Sequence, residues 1–536
     1  MLAKCFSPDE FFHKELNLGN LVVFESRFSA VVAGNRTLTS LFLDEMQNRG
    51  PAWVIRDGVS GHVLTGDALA MAVPRVAGFL HARGVARGDC VALMLPNSPA
   101  FCVIFHALLW AGATVTPVNP AYKPAELSRQ MAKSGARLIV AASTETPTAA
   151  GIAADDQVLV DLDAGDPLAS LVGDPIPEQP AANPALLPFS SGTTGAPKAA
   201  QLPPENLVHN LRQTQAMLRV EPHEVTIGFL PFFHIYGLAT VMNAFFLAGG
   251  RLVTQRRFDA GEMATLIDRH KVKQLFIVPP VATMLIGHPA AAAADLQSVD
   301  YVLSAAAPLG PRLQTALEDR LGATVCEGFG MTELSSFSYI APAHLPRDGS
   351  CGLALPGVRT RIVDPETQKD LAAGQVGEMW LAGAQLMTGY KDAPEANADT
   401  LVEGAWLRTG DLASIDADGY LFLHGRLKDI AKIRGFQVSP VEVEAVLTAH
   451  PGIADAAVIG AAGPMGDEML FGFVVPQPGA ELPAEDDLLA HLSAELSSYK
   501  IPRRLLPIDE IPKSPAGKIA RHELRARADA WVAQQR

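Results

Sequence analysis

Cysteine is scarce and scattered: five residues (Cys5, Cys90, Cys102, Cys326 and Cys351) in 536, an odd number without a C-x-x-C pair. That excludes a disulfide framework and a zinc ribbon, and it suits a reducing cytosol. Positive charge is also short. Lys and Arg total 43 against 57 Asp and Glu, a formal net charge of −14, so there is no excess charge for a phosphate backbone and nucleic acid is not an expected partner. Long apolar runs are missing too. The longest, 101–118, contains His106 and Gly112 and runs into Asn119-Pro120; it predicts a buried helix followed by a strand, with no transmembrane segment. The opening MLAKCFSPDEFFHKEL mixes acids and bases, so no signal or transit peptide is read, and the final WVAQQR lacks a peroxisomal SKL. The expected setting is cytoplasmic. There is no repeat of fixed period, and the Pro- and Ala-rich patches at 174–184 and 288–294 read as surface connections.

What is present is a large α/β enzyme-like chain, 48% hydrophobic, with length for about three or four folding units. Short apolar runs alternate with helical patterns from about 92 to 325: VALML at 91–95, RLIVAA at 137–142, QLFIVPP at 274–280 and YVLSAAA at 301–307. After Gly352 the pattern changes to short strands and turns (VRTRIVD, GEMWLAG, YLFLHG), predicting a β-rich, barrel-like subdomain over about 352–425 in which no helix fits. The last part begins after GRLKD. Ser439-Pro440-Val441-Glu442 reads as a helix start with a capping box, followed by strands AAVIG and FGFVVP and an amphipathic helix near 486–497, an α+β domain.

Residues 187–198 read LPFSSGTTGAPK. Gly192 and Gly195 let backbone N–H groups turn toward oxygens, Ser190, Ser191, Thr193 and Thr194 add hydroxyl donors, and Lys198 adds a point charge, all suited to a polyphosphate. A Walker loop is excluded, because Pro197 precedes the lysine and Ala199 follows it.

This string resembles the phosphate loop of the adenylate-forming superfamily of acyl-CoA synthetases, adenylation domains and luciferase. Seven further segments match in order: LPFFHIYG at 230–237, VPP at 278–280, SAAAPL at 304–309, GFGMTE at 328–333, LRTGD at 407–411, GRLKDIAKIRGFQ at 425–437 and PKSPAGK at 512–518. The spellings FHIYGL, SAAAPLG and GFQV are most similar to the 4-coumarate:CoA ligase and fatty acyl-CoA synthetase branch. The resemblance implies a large amino-terminal domain, 1–425, and a small mobile carboxyl-terminal α+β lid, 426–536, hinged at Lys428.

The resemblance also implies an ATP-dependent acid:CoA ligase in which ATP and Mg²⁺ convert a carboxylic acid to an acyl-adenylate that CoA then attacks. Attack of a carboxylate on a triphosphate brings like charges together, so lysines and a metal are expected to supply most of the catalysis. By resemblance Lys518 bridges the carboxylate and the α-phosphate, Glu333 is the magnesium ligand, and Thr332 contacts phosphate. Ala306, Glu327, Gly328 and Phe329 are assigned to the nucleotide, Phe329 by stacking on adenine, and Asp411 and Arg426 to its ribose or phosphates. His234, Tyr236, Thr240, Ala305 and Gly330 are assigned to the acyl pocket, with Lys428 and Lys432 contacting the acyl-adenylate. Arg257, Arg434 and Gly435 are assigned to CoA. No Asp stands in FFHI to pair an α-ammonium group, which favours a plain aromatic or fatty acid.

Ala199-Ala200 and Pro203-Pro204 depart from the usual continuation of the loop. Three alternatives stand beside the ligase: transfer to a carrier protein or arrest at the adenylate, a luciferase-like oxidation, and an inactive nucleotide-binding protein.

Overall fold

The computed structural model describes residues 14–18, 21–144, 151–190, 197–433, 436–463, 468–513 and 518–535. The VALML and RLIVAA runs form Cys90–Met94 and Leu138–Ala142, the central strands of a four-stranded parallel sheet flanked by Thr114–Pro117 and Gln157–Val160. Their unbroken apolar spelling follows from burial, as in parallel sheets covered on both faces. The helix Pro99–Trp110 opens where the Ser98 side chain accepts the Phe101 amide and Pro99 fills the first turn. It is followed by the strand Thr114–Pro117, as the interrupted apolar run predicts.

A five-stranded sheet carries the chemistry-bearing turns. Gln274–Ile277, Tyr301–Ser304 and Thr324–Met331 run parallel, and Ser336–Ile340 and Leu353–Ala354 return antiparallel. The reversal is made by the 3₁₀ turn Thr332–Leu334, after which Ser335 takes φ +59°. That turn lies beyond the carboxyl end of the parallel strands, where open α/β sheets leave a ligand crevice. Lys198–Gln201 is an extended strand between Phe189–Ser190 and Gly389–Tyr390. Ala199 therefore needs no positive φ, and Pro204 opens the helix Pro204–Met217.

The β-rich region differs from expectation in two ways. Its seven-stranded sheet draws in Lys14–Leu18 and Leu21–Glu25 from the start of the described chain, because Phe24 and Glu25 pair with Thr360 and Arg359. It also contains a helix, Pro394–Thr400, where none was expected. The sequence PEANADT has no apolar stripe to announce it. Proline in the first turn and the Asn397 amide bonding to the Ala393 carbonyl at 3.0 Å start it instead.

The carboxyl-terminal lobe contains Pro440–Ala449, the sheet Ile453–Ala462, Glu468–Pro476 and Arg504–Pro507, and the helices Glu485–Glu495 and Arg521–Gln535. Its buried side chains form their own clusters, separate from the large cluster that runs from Phe24 to Leu421. The expected capping box at Ser439 does not form: its side chain makes no cap bond, and the hydroxyl donates to the His424 carbonyl, tying the helix to the strand Leu421–Arg426. On another side, Arg312 Nη1 donates to the Thr448 and His450 carbonyls at 3.1 Å each and to Ile453 at 3.4 Å. These carbonyls lie at or just beyond the end of Pro440–Ala449, where a cation complements the helix dipole. Among the described residues no helix is long and apolar enough to cross a membrane, and four cysteines are free thiols.

Replacing Arg312 with Ala should therefore loosen the seat of this lobe. Hydrogen exchange should quicken across 426–453 and stay unchanged in Cys90–Met94; equal exchange in both segments would show that Arg312 does not hold the lobe.

Candidate active site

A cavity of about 400 Å³ opens where the five-stranded sheet, the strand Lys198–Gln201, the seven-stranded sheet and the carboxyl-terminal lobe meet. Eleven of the residues singled out from sequence line it: Ser190, Lys198, His234, Tyr236, Ala305, Ala306, Gly330, Thr332, Glu333, Arg426 and Lys518. They come from segments spread over most of the chain.

Local geometry explains how each arrives. Gly330 forms part of the cavity wall, and only glycine fits there because a Cβ would lie 2.2 Å from the Ser336 carbonyl. Ala306 sits at φ +73° just past the strand Tyr301–Ser304, a left-handed conformation costing about 1 kcal/mol for a non-glycine residue. Asn97 fixes the loop before His234: its side-chain NH₂ donates to the Gly228 and Leu230 carbonyls at 2.9 and 2.8 Å, and its oxygen accepts from the Phe232 amide at 2.8 Å. Tyr236–Ala244 is then a π-helix, a wide turn often found at functional sites. Tyr236 donates its hydroxyl to the Leu303 carbonyl at 2.9 Å and meets Phe337 edge-on with centroids 5.0 Å apart. These two rings give the cavity an aromatic side.

The charged groups form one field. Asp411 pairs with Arg426 at 2.8 Å, a consequence of their being opposite each other in strands Trp406–Ile415 and Leu421–Arg426. Burial raises the Asp411 carboxyl, and Arg426 and Lys518 oppose that shift. Burial lowers the Lys518 ammonium and Arg426 lowers it further, while Asp411 and Glu333 oppose this. Lys518 thus lies within electrostatic reach of Glu333, Asp411 and Arg426. Asp411 Oδ2 is buried and finds no hydrogen-bond partner among the described residues. Such an orphaned acceptor is costly unless a donor arrives, and a sugar hydroxyl of a nucleotide is a fitting donor. The polar wall of Ser190, Thr332, Lys198 and Lys518 suits phosphates equally. Among the described residues no group of three or more His, Cys, Asp or Glu is placed to hold a metal ion; Glu333 fits the single-carboxylate role usual for Mg²⁺ that rides on phosphates.

Other predicted residues are not brought to the wall. Thr240 lies behind it, its hydroxyl 3.0 Å from that of Ser336, which does line the cavity. Phe329 is buried in the large core, its backbone paired with Tyr339, and is not among the residues that line the cavity. Gly328 is closed off by Phe337 and the Tyr339 carbonyl. Glu327 is buried, accepts the Leu309 amide at 2.9 Å, and is pushed up to about 7 by burial. Lys428, Lys432 and Arg257 are exposed, the Lys432 amide donating to Glu468 at 3.0 Å. Ser191, Gly192, Thr193, Thr194, Gly195, Arg434 and Gly435 lie outside the described residues.

Several lining residues were not singled out from sequence. Arg408 donates to Glu378 at 2.8 Å, and Trp380 Nε1 donates to the same carboxylate at 2.9 Å. Arg408 and Thr409 belong to the LRTGD segment, which was itself a signal. Met331, Ser336, Tyr390, Ala396, Asp399 and Thr400 also line the cavity, and Tyr390 donates to Glu333 at 2.7 Å. Met331 lies inside the GFGMTE motif, but nothing in the spelling of TGYKDAPEANADT pointed to Tyr390, Ala396, Asp399 or Thr400.

The profile described as AMP-binding enzyme matches residues 44–391, and that described as AMP-binding enzyme C-terminal domain matches 442–518. The chain belongs to the AMP-binding enzyme family and is an adenylate-forming enzyme of the acid:CoA ligase type. It is 34% identical over 532 residues to 4-coumarate–CoA ligase 3 of Oryza sativa subsp. japonica, with 96% of each chain covered. Among solved structures, ATP-bound MatB from Rhodopseudomonas palustris matches with a TM-score of 0.83 and 28% identity over 92% of this chain and 99% of that one. The amide bond synthetase McbA from Marinactinospora thermotolerans matches at 0.81 and 27% identity, again over 92% and 99%.

The proximity of Lys518 to the cavity has a direct readout. His234 accepts the Tyr236 amide at Nδ1, 3.4 Å away, and burial, then Lys518, holds it down to about 4. Between its ordinary 6.5 and 4 the unfolded chain takes up a proton that folded His234 refuses, so this histidine costs stability as pH falls through that window. Histidine NMR should give His234 a midpoint near 4, moving upward in Lys518→Ala; a midpoint at 6.5 that ignores the substitution would separate the lysine from the cavity.

Proposed function

We propose that the protein is an AMP-forming acid:CoA ligase acting on an aromatic, 4-coumarate-like, or fatty carboxylic acid without an α-amino group. The observation that carries this reading is the convergence of Lys198, Glu333, Arg426 and Lys518 on one cavity beside the orphaned Asp411 oxygen. A carboxylate is a poor acyl donor until its oxygen is joined to a better leaving group, and the α-phosphate of ATP supplies one. Lysine charge placed before the reaction lowers the cost of bringing two anions together. In this reading Ser190 to Gly195, Lys198 and Thr332 cradle the phosphates, Glu333 holds the Mg²⁺ bound to them, Asp411 and Arg426 take the ribose, and Lys518 spans carboxylate and α-phosphate.

The acid enters past His234. Neutral imidazole at ordinary pH adds no charge to the pocket, and Tyr236 and Phe337 offer aromatic faces and edges to a planar or apolar acyl group. The segment 230–237 offers no carboxylate to an ammonium group. The curated relative named for 4-coumarate supports the aromatic reading. For the second half-reaction the lobe turns about Lys428, withdrawing Lys518 and presenting Lys432 and Gly435, with Arg257 and Arg434 toward CoA. The similarity to an amide bond synthetase keeps a second reading in view, in which another nucleophile replaces the thiol.

Incubation with ATP, Mg²⁺ and a panel of cinnamic, benzoic and medium- to long-chain acids should release pyrophosphate, and adding CoA should give thioester and AMP. Lys518→Ala should slow pyrophosphate release by about 100-fold or more while still passing a presynthesised acyl-adenylate to CoA. Absence of pyrophosphate with every acid would overturn the ligase reading, and pyrophosphate without thioester would favour another acceptor.

A further inference from the structure

Tyr390 touches both signs of charge in the cavity. Its hydroxyl donates to Glu333 Oε1 at 2.7 Å, and Ser190 and Thr400 line the same cavity. Its ring lies under the Lys198 ammonium, which sits 5.1 Å from the centroid, within cation–π range. The backbone on either side is bound into the same unit. Tyr390 pairs with Ala200, the Lys391 amide donates to the Ala199 carbonyl at 2.9 Å, and the Met387 amide donates to the Glu333 carbonyl at 2.8 Å.

The unexpected helix Pro394–Thr400 is the buttress. Asn397 Oδ1 accepts the Tyr390 amide at 2.6 Å and its NH₂ donates to the Tyr390 carbonyl at 2.9 Å. Gly389, at φ +143°, holds a conformation that side chains with a Cβ rarely adopt, and a Cβ there would press on that asparagine at 3.1 Å. An exposed turn needs none of this. A cation and a carboxylate that must stay a fixed distance apart do need it, because left alone Lys198 and Glu333 would each follow solvent or one another.

We propose that Tyr390 is a positioning residue of the adenylation step: its hydroxyl aims Glu333 and its ring aims Lys198, so that the two charges meet a triphosphate and its cation in a preset geometry. The inference rests on the ATP-binding reading given above. It assigns two separable duties to one side chain, and substitution can separate them. Tyr390→Phe keeps the ring and loses the hydroxyl; Tyr390→Leu loses both.

Equilibrium binding of ATP, with Mg²⁺ and then with EDTA, distinguishes them without turnover. Tyr390→Phe should bind ATP like the wild type in EDTA, yet need about tenfold more Mg²⁺ for half of its effect on affinity, the scale of one hydrogen bond to a charged group. Tyr390→Leu should weaken ATP in both conditions. Asn397→Ala should reproduce the Tyr390→Leu pattern in milder form while the folded fraction, followed by circular dichroism, stays intact. A Tyr390→Phe protein with the wild-type Mg²⁺ response would overturn the positioning role, as would equal losses with and without Mg²⁺, which mark general damage to the fold. A wild-type protein that binds no ATP would instead sink the underlying reading.

Discussion

Everything in this molecule that bears on chemistry depends on holding positive charge where two anions must meet. Lys198 comes from a strand beside the phosphate loop, and Lys518 from the second folding unit, yet both line one cavity with Glu333 and Arg426. Neither lysine could be kept there by its own flexible stem. Each is fixed by backbone: Lys198 by pairing with Ser190, and Lys518 by a short bridge in which Lys513 pairs with Ile519. Their ammonium groups are then held in partly desolvated surroundings, where charge acts more strongly than in water.

The two-unit construction follows from that requirement. Separate hydrophobic clusters let the carboxyl-terminal lobe keep its internal packing whatever its orientation. Among the described residues, bonds from Arg312 to helix-end carbonyls and from the Ser439 hydroxyl to His424 tie it to the larger domain. Polar contacts of this kind exchange readily with water, each contributing about 1 kcal/mol net. The larger domain, by contrast, is built on one large cluster with two small ones beside it, which suits a rigid floor for the cavity.

Much of this was legible in the sequence because dense motifs and apolar spelling have local causes. The parallel strands announced themselves as buried apolar runs, and the turn bearing Thr332 and Glu333 was spelled out in GFGMTE. What escaped notice is held by pairings distant in sequence. Asn97 supports the loop at 228–232, and Asn397 and Tyr390 act through backbone that no periodicity marks. Ser439 had the spelling of a cap and spends its hydroxyl on another strand. Phe329 had the place of a stacking ring, yet the register shift between Phe329 and Gly330 accompanies its burial in the core. Local spelling fixes which groups are available; tertiary contacts decide which of them face the cavity.

The central claim is that this single cavity holds a nucleotide between Lys198 and Lys518 with its ribose on Asp411. A crystal structure with a non-hydrolysable acyl-adenylate analogue tests it most directly. The account predicts ribose oxygen within hydrogen-bond distance of Asp411 Oδ2 and the acyl group beside Tyr236 and Phe337. A nucleotide bound elsewhere, with Asp411 Oδ2 still lacking a donor, would contradict it.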